Sequence, residues 1–263
     1  MKYLAARKER LTDLLVVGTF IGVAAALSLA LRADIFVSVL LYLGLPSAYL
    51  CLKRKKNYRK IIFASATLGL LLGMAYDFLA EQGNAYVVNY HSAILNYHII
   101  GKTPVGDFLW AFLIPFSVLV FYEHFLDDER IKRISARSID ALFAGVLFFV
   151  AGAVYVMLHP DAGSGGYAYL FVGACSVLPL IGLLFARHAL VHKLVLISFF
   201  FFVLNLAFEI TALMLGQWHF PGTYIGWITL FGLTFPYEEM LFWIIPSAAV
   251  FVFCYEMFFD DGR

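Results

Sequence analysis

The chain is divided into long runs of apolar residues, and these runs constrain its fold more than any other feature. A helix needs about 20 mostly apolar residues to cross the hydrocarbon core of a bilayer. Eight such stretches are found, at residues 12–31, 35–52, 60–80, 106–126, 138–158, 167–187, 194–215 and 236–258. The sequence therefore predicts an all-α fold, a polytopic membrane helical bundle of about eight transmembrane helices.

The composition agrees with this class and argues against several others. Of the 263 residues, 62% are hydrophobic and 14% are charged, whereas soluble domains carry about 25% charged residues. A net charge of +1 gives no concentrated basic face for a nucleic-acid partner. The three cysteines form no CxxC pair and the histidines form no ligand set beside the acids, so neither a disulfide framework nor a metal site is predicted. No dinucleotide-binding glycine motif is present, and no cofactor is expected.

The basic residues predict the orientation of the chain in the membrane. When the loops alternate from a cytoplasmic N-terminus, 17 of the 19 Lys and Arg residues fall on the inner side, and only Arg32 and Lys102 fall outside. Such an excess is typical of cytoplasmic loops. We therefore predict a multi-pass protein of the cell membrane, surrounded by lipid, with both termini in the cytoplasm. The sequence leaves open whether the chain forms a homo-oligomer.

A pattern in the first half recurs in the second half at a spacing near 132 residues. Tyr122 and Glu123 reappear as Tyr255 and Glu256, a spacing of 133. Each half then supplies four spans, and an even number leaves both halves in the same orientation. We expect Glu123 and Glu256 to be solvated at the inner ends of their spans. The prediction is two parallel four-helix membrane repeats, at residues 1–137 and 138–263.

Carboxylates inside apolar spans call for an explanation, because each costs on the order of 2.5–3.5 kcal/mol there. Five of them fall toward the outer ends of four predicted spans. Glu238 and Glu239 follow Pro236 and Tyr237 at a predicted helix start. Like charge and poor solvation favour one ionised and one protonated member of such a pair, which is a general-acid arrangement. The predicted catalytic residues are Asp77, Asp107, Glu209, Glu238 and Glu239.

Two segments between the spans are rich in aromatic residues with polar tips. These are residues 81–105 and 216–235, on the predicted outer side. Tyr and Trp settle at the membrane interface, so we expect interfacial or re-entrant lids over the acids. Simple interfacial anchors are the alternative. His219 is either a proton relay for the acids or a hydrogen-bonded interfacial residue.

The second half carries an ordered set of motifs that resembles a known family. The set consists of Glu209, Gly216-Gln217-Trp218-His219-Phe220, Tyr224-Ile225-Gly226, Pro236-Tyr237-Glu238-Glu239, Phe242 and Pro246. It is similar to the repeat unit of the small membrane lycopene cyclases, which are heterodimeric or tandem-fused carotenoid cyclases. The resemblance covers residues 167–258 well and residues 35–128 more weakly. In the first half, a single Asp107 stands where the family has a Glu pair, and Tyr86 stands near the place of the family's Trp.

The resemblance implies a redox-neutral cyclase for the ends of a lycopene-like, hydrophobic polyene. A carboxylic acid protonates the terminal double bond, the neighbouring alkene attacks the cation, and a base removes a proton. Glu238→Gln is then expected to abolish conversion. The residues implied for substrate binding are Trp110, Trp218, His219, Pro236, Tyr237, Phe242 and Trp243.

Other membrane functions fit the sequence less well. An intramembrane protease with a Glu-Glu-x-x-x-Arg motif is disfavoured because Trp243 stands in place of the Arg. A retinal-binding pump is disfavoured because the span 194–215 has no lysine for a Schiff base. The main alternative is a non-catalytic carotenoid- or lipid-binding membrane protein derived from such a cyclase.

Overall fold

The fold is a bundle of helices whose lengths and apolar composition suit a membrane. The computed structural model describes residues 2–53, 57–92, 94–100, 103–127, 167–184 and 188–259, with isolated positions at 147, 151, 154, 155 and 158. The helices defined in these ranges are α1 (Lys2–Leu31), α2 (Ile35–Lys53), α3 (Tyr58–Gln82), α4 (Gly106–Phe125), α5 (Ala168–Leu184), α6 (His188–Leu215) and α7 (Glu239–Phe258). Six of them, all except α5, are long and apolar enough to cross a membrane.

The predicted spans can be compared with these helices one by one. The spans 35–52 and 106–126 agree with α2 and α4 to within one residue at each end. The 17-residue helix α5 lies inside the predicted span 167–187. The predicted span 138–158 lies outside the described residues, apart from the isolated positions.

Two of the helices contain a widened, π-helical turn just before a proline. In α2 the turn Leu40–Gly44 precedes Pro46, and in α7 the turn Glu239–Ile244 precedes Pro246. Proline has no N–H and its ring clashes with the preceding turn, so a wider turn accommodates it. In α7 this turn begins at Glu239, and it therefore sets the direction of a predicted catalytic side chain.

Helices α3 and α4 approach each other closely at Gly69. A Cβ placed on Gly69 would lie 2.1 Å from the carbonyl oxygen of Ala111 and 3.1 Å from Pro115. Because Pro115 has no N–H, the Ala111 carbonyl lacks its usual partner within the helix. Only a glycine allows the neighbouring backbone to approach this carbonyl, and small residues serve this purpose in membrane helix pairs.

Short antiparallel strands connect the helices at one end of the bundle, which we name the hairpin end. The strands are β1 (Val87–Val88), β2 (His98–Ile100), β3 (Thr103–Pro104), β4 (Trp218–His219), β5 (Trp227–Leu230) and β6 (Leu233–Pro236). Strand β1 pairs with β4, β2 with β3, and β5 with β6. The sequence predicted lids here without any strand. The reason is that strands of two to four residues are too short to show an alternating pattern.

Residues 132 apart take matching conformations where α3 and α6 end. Asn84 and Gly216 both have a left-handed backbone, with φ of 54° and 65°. A left-handed residue closes a helix by redirecting the next N–H to an earlier carbonyl. Accordingly the Ala85 N–H donates to Ala80 O at 2.8 Å. The corresponding bond in α6 runs from the Gln217 N–H to Ala212 O at 2.9 Å.

At the opposite end of the bundle, two tyrosines and two glutamates exchange hydrogen bonds between α4 and α7. The Tyr122 hydroxyl donates to Glu256, and the Tyr255 hydroxyl donates to Glu123. The two tyrosine rings meet edge to face at 6.4 Å. Both glutamates are buried, with 2% and 3% of their surface exposed. The expectation that they are solvated was wrong, because each packs against the other helix.

Candidate functional site

A small cavity lies at the hairpin end. Three of the residues around it are buried acids: Asp77 from α3, Asp107 from α4 and Glu239 from α7. The remaining walls are apolar or aromatic and consist of Ile35, Tyr76, Tyr86, Val88, Trp110, Tyr169, Trp218, Phe220 and Trp243. The cavity thus combines acids with aromatic walls at one end of an apolar bundle.

A pair of glutamates on neighbouring helices forms one side of this site. The carboxyl groups of Glu209 on α6 and Glu239 on α7 lie within hydrogen-bonding distance of each other. The indole N–H of Trp218 donates to Glu209 Oε1 at 3.0 Å, and the Tyr169 hydroxyl donates to Glu239 Oε2. Two negative charges would repel at this separation, and one proton between the carboxyl groups would remove the repulsion. The pair is therefore suited to proton transfer.

A cluster of three acids forms the other side. Asp77 and Glu81 lie one turn apart on α3, and Asp107 lies in the first turn of α4. One oxygen atom of each carboxyl group lies within 4.8 Å of the other two. The Tyr86 hydroxyl donates to Asp77, and the Tyr90 hydroxyl donates to Asp107 at 2.6 Å. Oxygen ligands at these separations are suited to a hard divalent cation.

The tyrosines of the connecting segments remain protonated donors. Burial raises the pKa of Tyr86 and Tyr90, and the negative charges of Asp77 and Asp107 raise them further. Burial also raises the pKa of Tyr224, to about 12. The Tyr224 hydroxyl donates to Ala85 O at 2.8 Å. It thereby ties the segment after α6 to the segment after α3, over the hairpin end.

Aromatic contacts join the two sides of the cavity. The Trp110 and Trp243 rings lie 5.1 Å apart, and those of Tyr86 and Tyr169 lie 6.0 Å apart. Tyr76 also contacts Tyr169 through its hydroxyl group. Glu239 of the glutamate pair, and Asp77 and Asp107 of the three-acid cluster, therefore line a single aromatic space.

Glu238, the other member of the adjacent pair predicted from the sequence, takes a different place. It is fully buried, but it is not among the residues lining the cavity. Its Oε1 accepts a hydrogen bond from the Ile225 N–H at 2.7 Å, on the segment before β5. The structure therefore pairs Glu239 with Glu209 instead of with Glu238.

The predicted substrate-binding residues divide into two groups. Trp110, Trp218 and Trp243 line the cavity. The other four, Pro236, Tyr237, His219 and Phe242, are not among its lining residues.

Each of these four has another position. Pro236 is buried at the end of β6, and Tyr237 is 45% exposed. His219 is exposed in β4, opposite Val87. Phe242 packs on α5, where a Cβ placed on Gly173 would lie 2.1 Å from its ring.

Several residues of the site were missed by sequence reasoning. Glu81 had a usable signal, since it follows Asp77 by four residues and lies on the same helix face. Tyr86 also had one, because it follows Asp77 by nine residues, as Trp218 follows Glu209. Tyr76 and Tyr169 had none, because tyrosines are common throughout the chain and only packing brings these two to the acids.

The chain was compared with protein-family models, with curated proteins and with solved structures. None of the three comparisons finds a match. The function is therefore inferred from the chemistry of the site and not from a fold relationship.

Proposed function

We propose that the chain is a carotenoid cyclase that closes rings at the ends of a lycopene-like polyene in the membrane, by acid catalysis and without a redox change. One observation carries this proposal. Acids from α3, α4 and α7 line one aromatic cavity, and Glu209 of α6 contacts the acid of α7. Ionisable groups in membrane segments are costly and mark functional sites. A polyene is a fitting substrate because its apolar chain matches the aromatic walls.

The glutamate pair supplies the proton. Glu239 lines the cavity, and its contact with Glu209 keeps a proton available there. Glu239 transfers this proton to the terminal double bond, which forms a C–H bond and leaves a carbocation. The neighbouring double bond attacks the cation and forms the C–C bond of the ring. Tyr169 and Trp218 hold the two carboxyl groups in position through their hydrogen bonds.

The remaining acids and the tryptophans stabilise the positive charge. Asp77 and Asp107 line the same cavity, and negative charge placed in advance lowers the energy of a cationic intermediate. The faces of Trp110 and Trp243 attract a cation as well. Loss of a proton from the carbon beside the cation, to a carboxylate of the cavity, completes the ring without oxidation or reduction.

The predicted organisation of the chain is part of this proposal. We propose eight spans in two parallel repeats, residues 1–137 and 138–263. The hairpin end lies on the outer side of the cell membrane, and both termini lie in the cytoplasm. The matching helix ends at Asn84 and Gly216 support the repeats. The reciprocal bonds of Tyr122 and Tyr255 support them too. The distribution of basic residues supports the orientation.

Expression in lycopene-accumulating cells tests the function. We expect the wild-type chain to convert the linear pigment to ringed products, detected by absorption and mass spectrometry. Glu239→Gln keeps the size of the side chain and removes its acidity, so it should leave the pigment linear at an equal level of folded protein. If the wild-type chain binds the pigment and leaves it linear, the chain is a carotenoid-binding protein and the proposal fails.

A further inference from the structure

Three buried acids meet where α3 and α4 approach the hairpin end. The exposed fractions of Asp77, Glu81 and Asp107 are 1%, 4% and 3%, and their oxygen atoms lie within 4.8 Å of one another. Neither aspartate forms an ion pair with a Lys, Arg or His in the part of the chain that the structure describes. Three carboxylates at such separations need positive charge or protons between them.

The tyrosine hydrogen bonds of the two aspartates occupy one oxygen atom of each carboxyl group and leave the other available to a ligand. Tyr86 occupies Asp77 Oδ1, and Tyr90 occupies Asp107 Oδ1. Asp77 Oδ2 and Asp107 Oδ2 are buried and accept no hydrogen bond from a described N–H or hydroxyl donor. The carboxyl group of Asp107 lies within hydrogen-bonding distance of those of Asp77 and Glu81. Buried carboxylate oxygens without a partner are costly, and a bound cation would satisfy both at once.

The comparison with the glutamate pair indicates why a cation suits this cluster. Residues 132 positions after Asp77 and Asp107 are Glu209 and Glu239, and the residue 132 positions after Glu81 is Leu213. Two carboxyl groups can share one proton, whereas a third carboxylate adds a further oxygen ligand for a cation. Each aspartate is also one methylene shorter than its glutamate counterpart, which leaves room for an ion between the side chains.

We propose that Asp77, Glu81 and Asp107 bind one hard divalent cation of the Ca²⁺ or Mg²⁺ type. Such ions take carboxylate oxygens, and Ca²⁺ at about 2.3–2.6 Å from each ligand accommodates oxygens up to about 5 Å apart. Three carboxylates and one divalent cation leave a net charge of −1, so the cavity stays anionic. The cation fixes α3 to α4 beside the cavity. This site does not depend on the proposed cyclase reaction.

Binding of Mn²⁺ to the full-length protein in lipid nanodiscs, after treatment with EDTA, tests the site. The electron paramagnetic resonance signal of free Mn²⁺ reports the bound amount. We expect one saturable site per chain, from which Ca²⁺ or Mg²⁺ displaces the probe. Glu81→Gln and Asp107→Asn should each weaken binding about tenfold or more. Asp34→Asn is the matched control, because Asp34 is an acid at the same end that caps α2 through the Val37 N–H.

Two further readouts keep the test independent of misfolding and of the enzyme activity. Mn²⁺ should raise the thermal unfolding temperature of the wild-type chain, and EDTA should lower it again. Two results would overturn the proposal: no saturable Mn²⁺ binding to the wild-type chain, or the same Mn²⁺ affinity in the wild type and both ligand variants. Either result would mean that protons, and not a metal ion, neutralise the three carboxylates. Pigment conversion is measured separately. A wild-type chain that binds Mn²⁺ but does not convert the pigment would count only against the proposed function.

Discussion

The carboxyl group of Glu239 faces that of Glu209 on the neighbouring helix. Each of the two receives a hydrogen bond from an aromatic side chain, Tyr169 for Glu239 and Trp218 for Glu209. Both acids are almost fully buried, at 5% and 1% exposure. Glu239 is the member of the pair that lines the cavity, so it is the one placed to transfer a proton to a bound molecule.

The first prediction separates the two adjacent glutamates at the start of α7. Glu239→Gln should lower ring formation by at least about 100-fold, the usual effect of losing a general acid. Glu238→Gln, which the sequence led us to expect would abolish conversion, should instead reduce it less than tenfold, because this side chain binds the Ile225 N–H and does not line the cavity. The measurement is the rate of ringed product per folded protein in membranes. The opposite order would place the proton donor at Glu238.

The second prediction concerns the donor to Glu209. Trp218→Phe keeps an aromatic ring against Phe208, which now lies 5.3 Å away, but it removes the indole N–H. A hydrogen bond to a carboxylate contributes about 1.5–3 kcal/mol, so we expect conversion to fall about tenfold or more. Trp227→Phe is the control, because Trp227 is 46% exposed and lies outside the cavity. Equal activity of both variants would show that this bond is dispensable.

The third prediction tests the close approach of α3 and α4. Gly69→Ala would bring a Cβ to 2.1 Å from the Ala111 carbonyl oxygen, and this backbone atom cannot move without shifting a helix. We expect a loss of about 1–3 kcal/mol in the free energy of unfolding, measured in detergent. Gly22→Ala in α1 is the control, since no atom lies within 4 Å of its added Cβ. A neutral Gly69→Ala would contradict this packing.

The fourth prediction concerns the reciprocal bonds at the opposite end of the bundle. Tyr122→Phe and Tyr255→Phe each leave a buried glutamate without its hydroxyl donor. The cost should be about 1–3 kcal/mol in each case. Thermal unfolding checks this, with Tyr97→Phe as an exposed control. Unchanged unfolding temperatures in both variants would contradict the contribution of these bonds.

Much of the bundle could be predicted from the sequence, because helix formation in a membrane follows from the length of apolar runs. The bounds of α2 and α4 were predicted to within one residue. The strands were not predicted. Their pairing joins distant segments, as when Val87 lies opposite His219, and no local pattern encodes such a contact.

The sequence by itself determined that the chain forms apolar helices and that acids stand at their ends, since both follow from residue type and spacing. Only the tertiary structure decided which acids meet. Successive residues of a helix point about 100° apart, so Glu238 and Glu239 turn to different surroundings. The packing of α6 on α7 then gives Glu239 its partner, Glu209.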